Sequence, residues 1–411
     1  MSNSTTPRSS RIEDLEILRA IAVILVFVHH CKGNLIYWRS EAKDIFFTWF
    51  GGDVGVDLFF GISGYIIARS LLPKLKQSAD NRQFFRITIA FWIRRFWRLV
   101  PSAWFWLAFP LLLFVVFSNS SPEPSELSIG SPYQTLTLQG NVVAAVAAVL
   151  HIANFSFGHT FGNPDHNNLF FPYWSLSLEE QFYLLLPFLV FFCRKRLTPI
   201  LMAIIAVQLF VNRDAFSLPW NIVRTDGLFL GVLIAIWQTH SNYEDFHPKF
   251  LKSFVARSIF LAWLVISLIV LGSRLDMTPE THRFSFATVI SGIAVFVASF
   301  NQNYIVRGGP LKPILMWIGA RSYGIYLAHI PIFAITREIF HRTNSDTPLE
   351  TRSLGAMTLL VVSATVLTLI AVELNYRYLE KPLQEKGRRI SKNYLERSDS
   401  DSGDENTSST V

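Results

Sequence analysis

Hydrophobic residues are grouped along this chain into eleven long apolar runs, separated by shorter polar segments. A helix needs about 20 apolar residues to cross a bilayer, and helices satisfy all of their backbone polar groups internally. The pattern therefore predicts an all-α fold, a polytopic transmembrane helical bundle. The runs cover residues 17–33, 54–72, 99–117, 138–157, 174–193, 197–211, 221–238, 254–272, 284–300, 314–340 and 353–375.

The composition agrees with this pattern. The chain has 411 residues, of which 51% are hydrophobic, 14% aromatic and 16% charged, whereas soluble domains have about 25% charged residues. Its net charge is +7, but the Lys and Arg residues cluster in loops beside the apolar runs. We therefore expect the lipid bilayer, and not a nucleic acid, as the partner of this surface.

Run 138–157 is the uncertain one, because it is rich in Ala and Val but holds His151 and Asn154. Cytoplasmic loops are enriched in Lys and Arg. If this run does not cross, both termini are cytoplasmic and most Lys and Arg residues lie inside, while 118–173 contains none. We therefore predict about ten membrane-spanning helices in the cytoplasmic (inner or plasma) membrane, with 138–157 as a re-entrant or interfacial helix.

The chain divides into three predicted parts. Residues 1–16 form a cytoplasmic N-terminal segment, and 17–390 form the membrane domain. Residues 391–411 are rich in Ser, Asp, Glu and Asn, so we expect a disordered cytoplasmic tail. There is no internal repeat, P-loop, Rossmann glycine cluster or zinc spacing, so we expect no metal and no permanently bound cofactor.

Two ionisable side chains at similar predicted depth suggest acid–base chemistry. Arg19 and His30 are 11 residues apart, so they share one helix face and are separated by about 16 Å. Glu179 lies about 8 Å below Trp174, near the predicted depth of His30. A carboxylate beside a histidine orients a general base. The alternative is an interfacial histidine and a structural carboxylate. His29 points about 100° away from His30 and is interpreted as a packing or interfacial residue.

A basic cluster, Arg94-Arg95-Phe96-Trp97-Arg98, begins the run at 99–117. Arg95 and Arg98 are i,i+3 neighbours on one helix face, and guanidinium groups bind phosphate bidentately. Such clusters also determine topology without binding anything, so both interpretations stay open.

Further polar residues fall within the runs. Asp57 follows a glycine-rich entry at 51–55 and either lines a cavity or belongs to a helix-packing motif. Other members of the intramembrane set, such as Arg321, can be satisfied structural pairs. The candidates for a supporting cavity are Arg19, Asp57, Ser63, Tyr65, Arg224, Asp226, Tyr326 and His329.

Seven ordered motifs carry a resemblance to a known family. They are Leu18–Ala22 with His30, Gly51–Phe60 with Ile62–Tyr65, Arg95–Arg98, Trp174–Tyr183, Asp226-Gly227, Ser322–His329 and Tyr378–Pro382. In these residues the chain resembles the acyltransferase family 3, integral-membrane acyltransferases that include O-antigen and exopolysaccharide O-acetyltransferases. It departs from the family pattern at Asp53 and Gly61, which replace residues that are usually apolar.

The resemblance implies ten membrane helices, acyl-coenzyme A (acetyl-coenzyme A is expected) as a cytoplasmic co-substrate, and transfer to a hydroxyl of an extracytoplasmic or lipid-linked glycan. It assigns His30 as the essential histidine and Arg95 and Arg98 as the donor-binding pair. The sequence ends soon after the last run, so we expect no fused esterase-like domain, and transfer is completed within the membrane domain or with a partner.

We expect His30, oriented by Glu179, to deprotonate the acceptor hydroxyl. Arg19, Tyr65 or His329 would stabilise the oxyanion. An acyl-histidine relay is an equally open route. The alternative from another class is a proton-coupled transporter or flippase that uses His30 and Glu179 as a proton relay, for which internal repeats or broken helices are expected.

Overall fold

The computed structural model describes residues 12–36, 41–119, 138–162, 168–211, 224–273, 282–343 and 354–407. Within these ranges the chain is helical and contains no β-strand, apart from one isolated bridge between Lys32 and Ile36. The predicted all-α fold is therefore confirmed. The predicted N-terminal segment lies largely outside the described residues, since 1–11 are not among them.

Fifteen α-helices are present in the described ranges. Shorter helical turns occur at Arg194–Arg196, Ser241–Phe246 and Lys249–Lys252, and a π-helical turn covers Tyr376–Glu380. The α-helices are α1 (Glu13–Cys31), α2 (Glu41–Trp49), α3 (Gly55–Lys76), α4 (Asn81–Asn119), α5 (Leu138–Val149), α6 (Ala153–Gly162), α7 (Tyr173–Cys193), α8 (Leu197–Phe210), α9 (Asp226–Trp237), α10 (Phe254–Gly272), α11 (Arg283–Ser299), α12 (Leu311–Ala320), α13 (Ser322–Thr343), α14 (Leu354–Asn375) and α15 (Lys381–Thr407).

Four described helical stretches are long and apolar enough to cross a membrane: Gly55–Lys76, Asn81–Leu113, Phe254–Gly272 and Leu354–Glu396. Other apolar helices are shorter. For example, α9 has 12 residues, which extend only about 18 Å. The protein is therefore a membrane protein, but the predicted number of about ten spans is not confirmed, and the sides on which the termini lie stay predictions.

The predicted single helix over 138–157 is wrong, because the structure has two helices there. They are separated at His151, whose φ is 54°. Side chains of α7 satisfy the backbone at this break: Gln181 Nε2 donates to the His151 carbonyl (2.7 Å), and Ala153 N–H donates to Ser177 Oγ (3.2 Å). Irregular backbone at membrane depth is tolerated only where protein or water satisfies it. The predicted run 314–340 is likewise broken, between α12 and α13.

The C-terminal helix α15 covers Lys381–Thr407, and 408–411 lie outside the described residues. The disordered cytoplasmic tail from Ser391 stays a prediction. The first half of α15 packs along α4: Arg94 Nη1 donates to Ser391 Oγ (2.5 Å), and Arg86 Nη2 donates to the Leu395 carbonyl (3.0 Å). These hydrogen bonds attach the first half of α15 to α4, although its sequence has no apolar run.

Helices α3 and α9 approach each other closely because both carry glycines at the contact. A Cβ on Gly64 would lie 1.9 Å from the Leu228 carbonyl oxygen, and one on Gly231 would lie 2.3 Å from the Gly61 carbonyl oxygen. Small residues permit this backbone approach in membrane helix pairs. The tight contact fixes the position of α3, which forms one wall of the cavity described next.

Candidate active site

A cavity runs between α1, α3, α4, α7, α12 and α13 and reaches the start of α15. Its lining encloses about 910 Å³ of empty space, open solvent at the mouth included. Its wall combines apolar side chains such as Val56 and Phe59 with polar ones. The polar lining residues are Arg19, Ser63, Arg95, Arg98, Ser175, Glu179, Tyr183, Ser322, Tyr323, Tyr326, Glu380 and Gln384.

Three arginines form what we call the arginine end of the cavity: Arg19, Arg95 and Arg98. Arg19 Nη1 contacts Glu16 Oε1 at 3.2 Å. The guanidinium carbon of Arg95 lies 5.3 Å from the centre of the Tyr183 ring and 5.6 Å from that of Phe91. The sequence prediction that Arg95 and Arg98 share a face is therefore met, since both line one cavity.

Arg95 and Arg98 have no hydrogen-bond acceptor and no carboxylate within ion-pair distance among the residues that the structure describes. Each guanidinium has five N–H donors, and a buried donor without an acceptor is costly. The donors of Arg95 and Arg98 are thus available to a ligand in the cavity. Arg94 differs, because its side chain binds Ser391 on α15.

Glu179 belongs to the arginine end. Its carboxylate accepts a hydrogen bond from the Tyr183 hydroxyl one helical turn away. No contact joins it to His30 in the described part of the chain, so the geometry does not support the prediction that Glu179 orients His30. The axial rise gave both residues a similar depth, but it says nothing about the direction in which each side chain leaves its helix.

His30 pairs instead with His329 on α13, and we call these two residues the histidine pair. His30 Nδ1 lies 2.8 Å from His329 Nε2, the ring centroids are 5.0 Å apart, and the ring planes are 21° from parallel. His329 is 1% exposed, whereas His30 is only partly buried. Neither residue is among those that line the cavity. His29 accepts a hydrogen bond from Gly52 N–H (3.3 Å), as a packing residue can.

Tyr326 connects the cavity to the histidine pair. It lines the cavity, and the centre of its ring lies 5.9 Å from that of His329. Its hydroxyl is 2.6 Å from Ser175 Oγ and donates to the Pro172 carbonyl at 3.0 Å. The histidine pair therefore lies beside the cavity, with the ring of Tyr326 between the cavity and His329.

Asp57 and Arg224 form a structural ion pair away from the cavity. Arg224 Nε donates to Asp57 Oδ1 (3.0 Å), and its Nη2 contacts Asp57 Oδ2. The guanidinium carbon lies 3.9 Å from the centre of the Phe284 ring and 5.3 Å from that of Trp174. Both members are buried. The prediction that they belong to a supporting cavity is therefore corrected to a structural role.

Of the other candidates for a supporting cavity, some line the cavity and others do not. Ser63 lines the cavity, as predicted. Tyr65 does not, because it is fully buried and donates to Gln238 Oε1 at 2.8 Å. Asp226 accepts a hydrogen bond from Thr288 Oγ1 at 2.7 Å and lies outside the cavity lining.

Sequence reasoning missed several lining residues. Ser175 and Tyr183 belong to the Trp174–Tyr183 motif, so their motif membership was an available signal. Glu380 and Gln384 come from the π-helical turn and the start of α15, after the last apolar run. Glu380 belongs to the Tyr378–Pro382 motif, so motif membership was an available signal for it too, whereas no motif or hydrophobic periodicity points to Gln384.

Several bacterial proteins are similar to this chain. The putative peptidoglycan O-acetyltransferase YrhL of Bacillus subtilis is 28% identical over 403 residues, covering 92% of this chain and 56% of that protein. The peptidoglycan O-acetyltransferase OatA of Listeria monocytogenes is 28% identical over 410 residues, covering 93% and 57%. The O-acetyltransferase OatA of Staphylococcus aureus is 27% identical over 396 residues, covering 91% and 57%.

The chain thus spans a little more than half the length of these relatives. No solved structure gives a significant match. The sequence model of the acyltransferase family 3, described as an acyltransferase domain, matches residues 12–372. That match includes the arginine end, both members of the histidine pair and all of α1 to α13, but not the lining residues Glu380 and Gln384. The chain belongs to the acyltransferase family 3.

Proposed function

We propose that this protein is a membrane O-acetyltransferase that moves an acetyl group from cytoplasmic acetyl-coenzyme A to a hydroxyl of an extracytoplasmic or lipid-linked glycan. The observation that carries the proposal is the pair of cavity-lining arginines, Arg95 and Arg98, whose guanidinium groups have no acceptor among the described residues. The two arginines and the histidine pair lie in different parts of the site. The charged acetyl donor can therefore bind at the arginines while the general base acts at the histidine pair.

The arginine end suits the phosphate groups of coenzyme A. Arginine binds phosphate through paired, charge-assisted hydrogen bonds, and Arg19 adds a third positive group at the same end. The axial separation of Arg19 and His30 along α1 is about 16 Å. A donor held by its phosphates therefore extends along the cavity, and its thioester approaches Tyr326 and the histidine pair.

The reaction that this arrangement supports is a direct transfer. His30 takes the proton of the acceptor hydroxyl, and the alkoxide oxygen forms a bond to the thioester carbonyl carbon. The tetrahedral intermediate then breaks its carbon–sulfur bond, and His30 returns the proton to the departing thiolate. The products are the O-acetylated acceptor and free coenzyme A. The neighbouring hydroxyl groups of Ser175 and Tyr326 both bind the Pro172 carbonyl, so either one stabilises the oxyanion only if it exchanges that hydrogen bond for one to the oxyanion.

Peptidoglycan is the first acceptor to test, because two of the relatives reported above are named peptidoglycan O-acetyltransferases. The sugar hydroxyl groups of O-antigen and exopolysaccharide require the same base and the same donor. They are therefore the second set of acceptors.

A proton-coupled transporter is the less favoured function. The helix breaks between α5 and α6 and between α12 and α13 satisfy one expectation for a transporter. The proposed relay, however, requires Glu179 beside His30, and the contacts of Glu179 lie at the arginine end. Membership of an acyltransferase family also favours group transfer.

The test compares purified wild-type protein with His30→Ala and His29→Ala at matched amounts in lipid vesicles. Free thiol released from acetyl-coenzyme A and acetylated peptidoglycan fragments are measured together with donor affinity. We expect His30→Ala to lose about 10²- to 10⁴-fold in rate while it still binds the donor, and His29→Ala to stay active. Thiol release by His30→Ala at the wild-type rate, or its loss only in His29→Ala, would contradict the assignment.

A further inference from the structure

We propose that His329 is the positioning residue for His30: it sets the tautomer of His30 and leaves Nε2 as the basic atom. This inference rests on the proposed function, because it assumes that His30 is the base. It assigns to a neutral side chain the orienting role that a carboxylate usually performs. The relevant contacts form a short chain from a backbone carbonyl through two imidazole rings.

The chain of hydrogen bonds fixes the proton positions. His329 Nδ1 lies 3.1 Å from the Ile325 carbonyl oxygen. A carbonyl only accepts hydrogen bonds, so Nδ1 of His329 carries the proton. A neutral imidazole has one N–H, which leaves the lone pair of His329 on Nε2. That atom then accepts from His30 Nδ1 at 2.8 Å, and the lone pair of neutral His30 lies on Nε2.

The surroundings of His329 favour its neutral form and hold its ring in place. Its side chain is 1% exposed. The centres of the Phe333, Tyr326 and Phe27 rings lie 5.8, 5.9 and 6.3 Å from the centre of its ring. A charge in such an apolar site is costly. Because the ring cannot turn freely, its Nε2 acceptor stays aimed at His30.

His30 is held on its other sides as well. Its ring packs edge-on against Phe171 (5.2 Å between centroids), and Asn34 Nδ2 donates to its backbone carbonyl at 2.8 Å. Its Nε2 has no hydrogen-bond partner among the described residues, and the side chain is partly accessible. The one free nitrogen of the pair is therefore the one that can receive a proton from an acceptor hydroxyl.

This arrangement also determines what happens after proton transfer. When His30 Nε2 becomes protonated, its Nδ1–H still donates to His329 Nε2, and the Ile325 carbonyl supports the far side of His329. The positive charge is stabilised by oriented dipoles and not by a carboxylate. A loss of the His329 acceptor would let His30 adopt the other tautomer, with its proton on the reacting nitrogen.

Three substitutions at position 329 separate this role from simple packing. His329→Gln can place an amide oxygen near the former Nε2, where it accepts from His30. His329→Asn places its amide near the former Nδ1, where it can still bind the Ile325 carbonyl but does not reach His30. His329→Leu provides neither group. The measured quantities are kcat, KM for acetyl-coenzyme A and donor affinity in lipid vesicles.

We expect His329→Gln to keep kcat within about tenfold of the wild type, and His329→Asn and His329→Leu to lose roughly a hundredfold or more, as when a base adopts the wrong tautomer. KM and donor affinity should stay near the wild-type values in all three. Melting temperature and donor binding show whether each variant folds. If His329→Leu does not fold, the comparison of His329→Gln with His329→Asn still tests the inference, because the two side chains are alike in polarity.

Equal kcat in His329→Gln and His329→Asn, or wild-type kcat in all three variants, would overturn the inference. That outcome is distinguishable from a failure of the proposed function. If wild-type protein releases no thiol from acetyl-coenzyme A, or if His30→Ala is fully active, the proposed function itself fails. If the wild type is active and His30→Ala is not, the position 329 series tests the positioning role by itself.

Discussion

Two arginine residues of the helical domain, Arg224 and Arg98, differ in whether their guanidinium groups have partners inside the protein. Arg224 is bound in a bidentate manner by Asp57 and lies against the rings of Phe284 and Trp174, with both charges buried. Arg98 lines a cavity and, among the described residues, has neither an acceptor nor a carboxylate partner. In the sequence the two residues look alike, since each is an arginine close to an apolar run.

The difference shows that an arginine within a membrane domain does not by itself indicate a binding site. The informative property is whether its N–H donors are already used. Arg224 already uses its Nε and Nη2 donors on Asp57 and packs on the Phe284 ring, so it stabilises the packing of α3 against α11. The N–H donors of Arg98 and Arg95 are available to a ligand that binds in the cavity. The comparison therefore separates stability from ligand affinity, and the two can be measured independently.

The largest effect is expected from Arg224→Met. Removing one partner of a buried pair leaves the Asp57 carboxylate uncompensated, which costs about 3–5 kcal/mol. The unfolding midpoint in detergent should fall strongly, and the double variant Asp57→Asn/Arg224→Met should recover much of the loss. Arg98→Met should leave the midpoint near its wild-type value. An equal loss of stability at both sites would remove the distinction between them.

An intermediate effect is expected from Arg98→Ala on donor affinity. Each charge-assisted hydrogen bond to a phosphate is worth about 1.5–3 kcal/mol, so acetyl-coenzyme A should bind about tenfold or more weakly. Arg94→Ala is the matched control, because Arg94 lies on the same helix but binds Ser391. Donor titration by calorimetry or by fluorescence measures both. Unchanged affinity in Arg95→Ala/Arg98→Ala would leave these arginines with a role in topology alone.

The smallest effect is expected from Glu179→Gln. The carboxylate lies with the arginines and is hydrogen-bonded to Tyr183, so its neutralisation removes a negative charge from the phosphate-binding end. We expect donor affinity to rise slightly, by about threefold, as for a charge interaction of less than 1 kcal/mol. The rate should stay within about tenfold of the wild type. A fall of roughly a hundredfold would instead restore Glu179 as the partner of the general base.

The sequence predicted the class of fold and much of the arginine end. Apolar runs and the absence of strand patterns predict helices, and the i,i+3 spacing of Arg95 and Arg98 places both on one face. Arg19, Ser63, Glu179 and Tyr326 were all candidates and all line the cavity. Local spacing was sufficient for the Arg95 and Arg98 pair, because both residues lie on one helix, whereas the other four were candidates as polar groups within apolar runs.

The pairings between helices could not be predicted in this way. His30 and His329 are 299 positions apart, and their contact depends on how α1 and α13 rotate about their axes. The same applies to Asp57 with Arg224, which are 167 positions apart. The break at His151 was missed for a related reason: hydropathy averages over a window, and the side chains that satisfy the broken backbone come from α7.

That break has a consequence for how the protein is made. The segment from Leu138 to Gly162 leaves the ribosome before Ser177 and Gln181, whose side chains complete the hydrogen bonds at its turn. Before α7 is in place, the carbonyl of His151 and the N–H of Ala153 lack these two partners. We therefore expect the segment to reach its final position only after α7 is inserted.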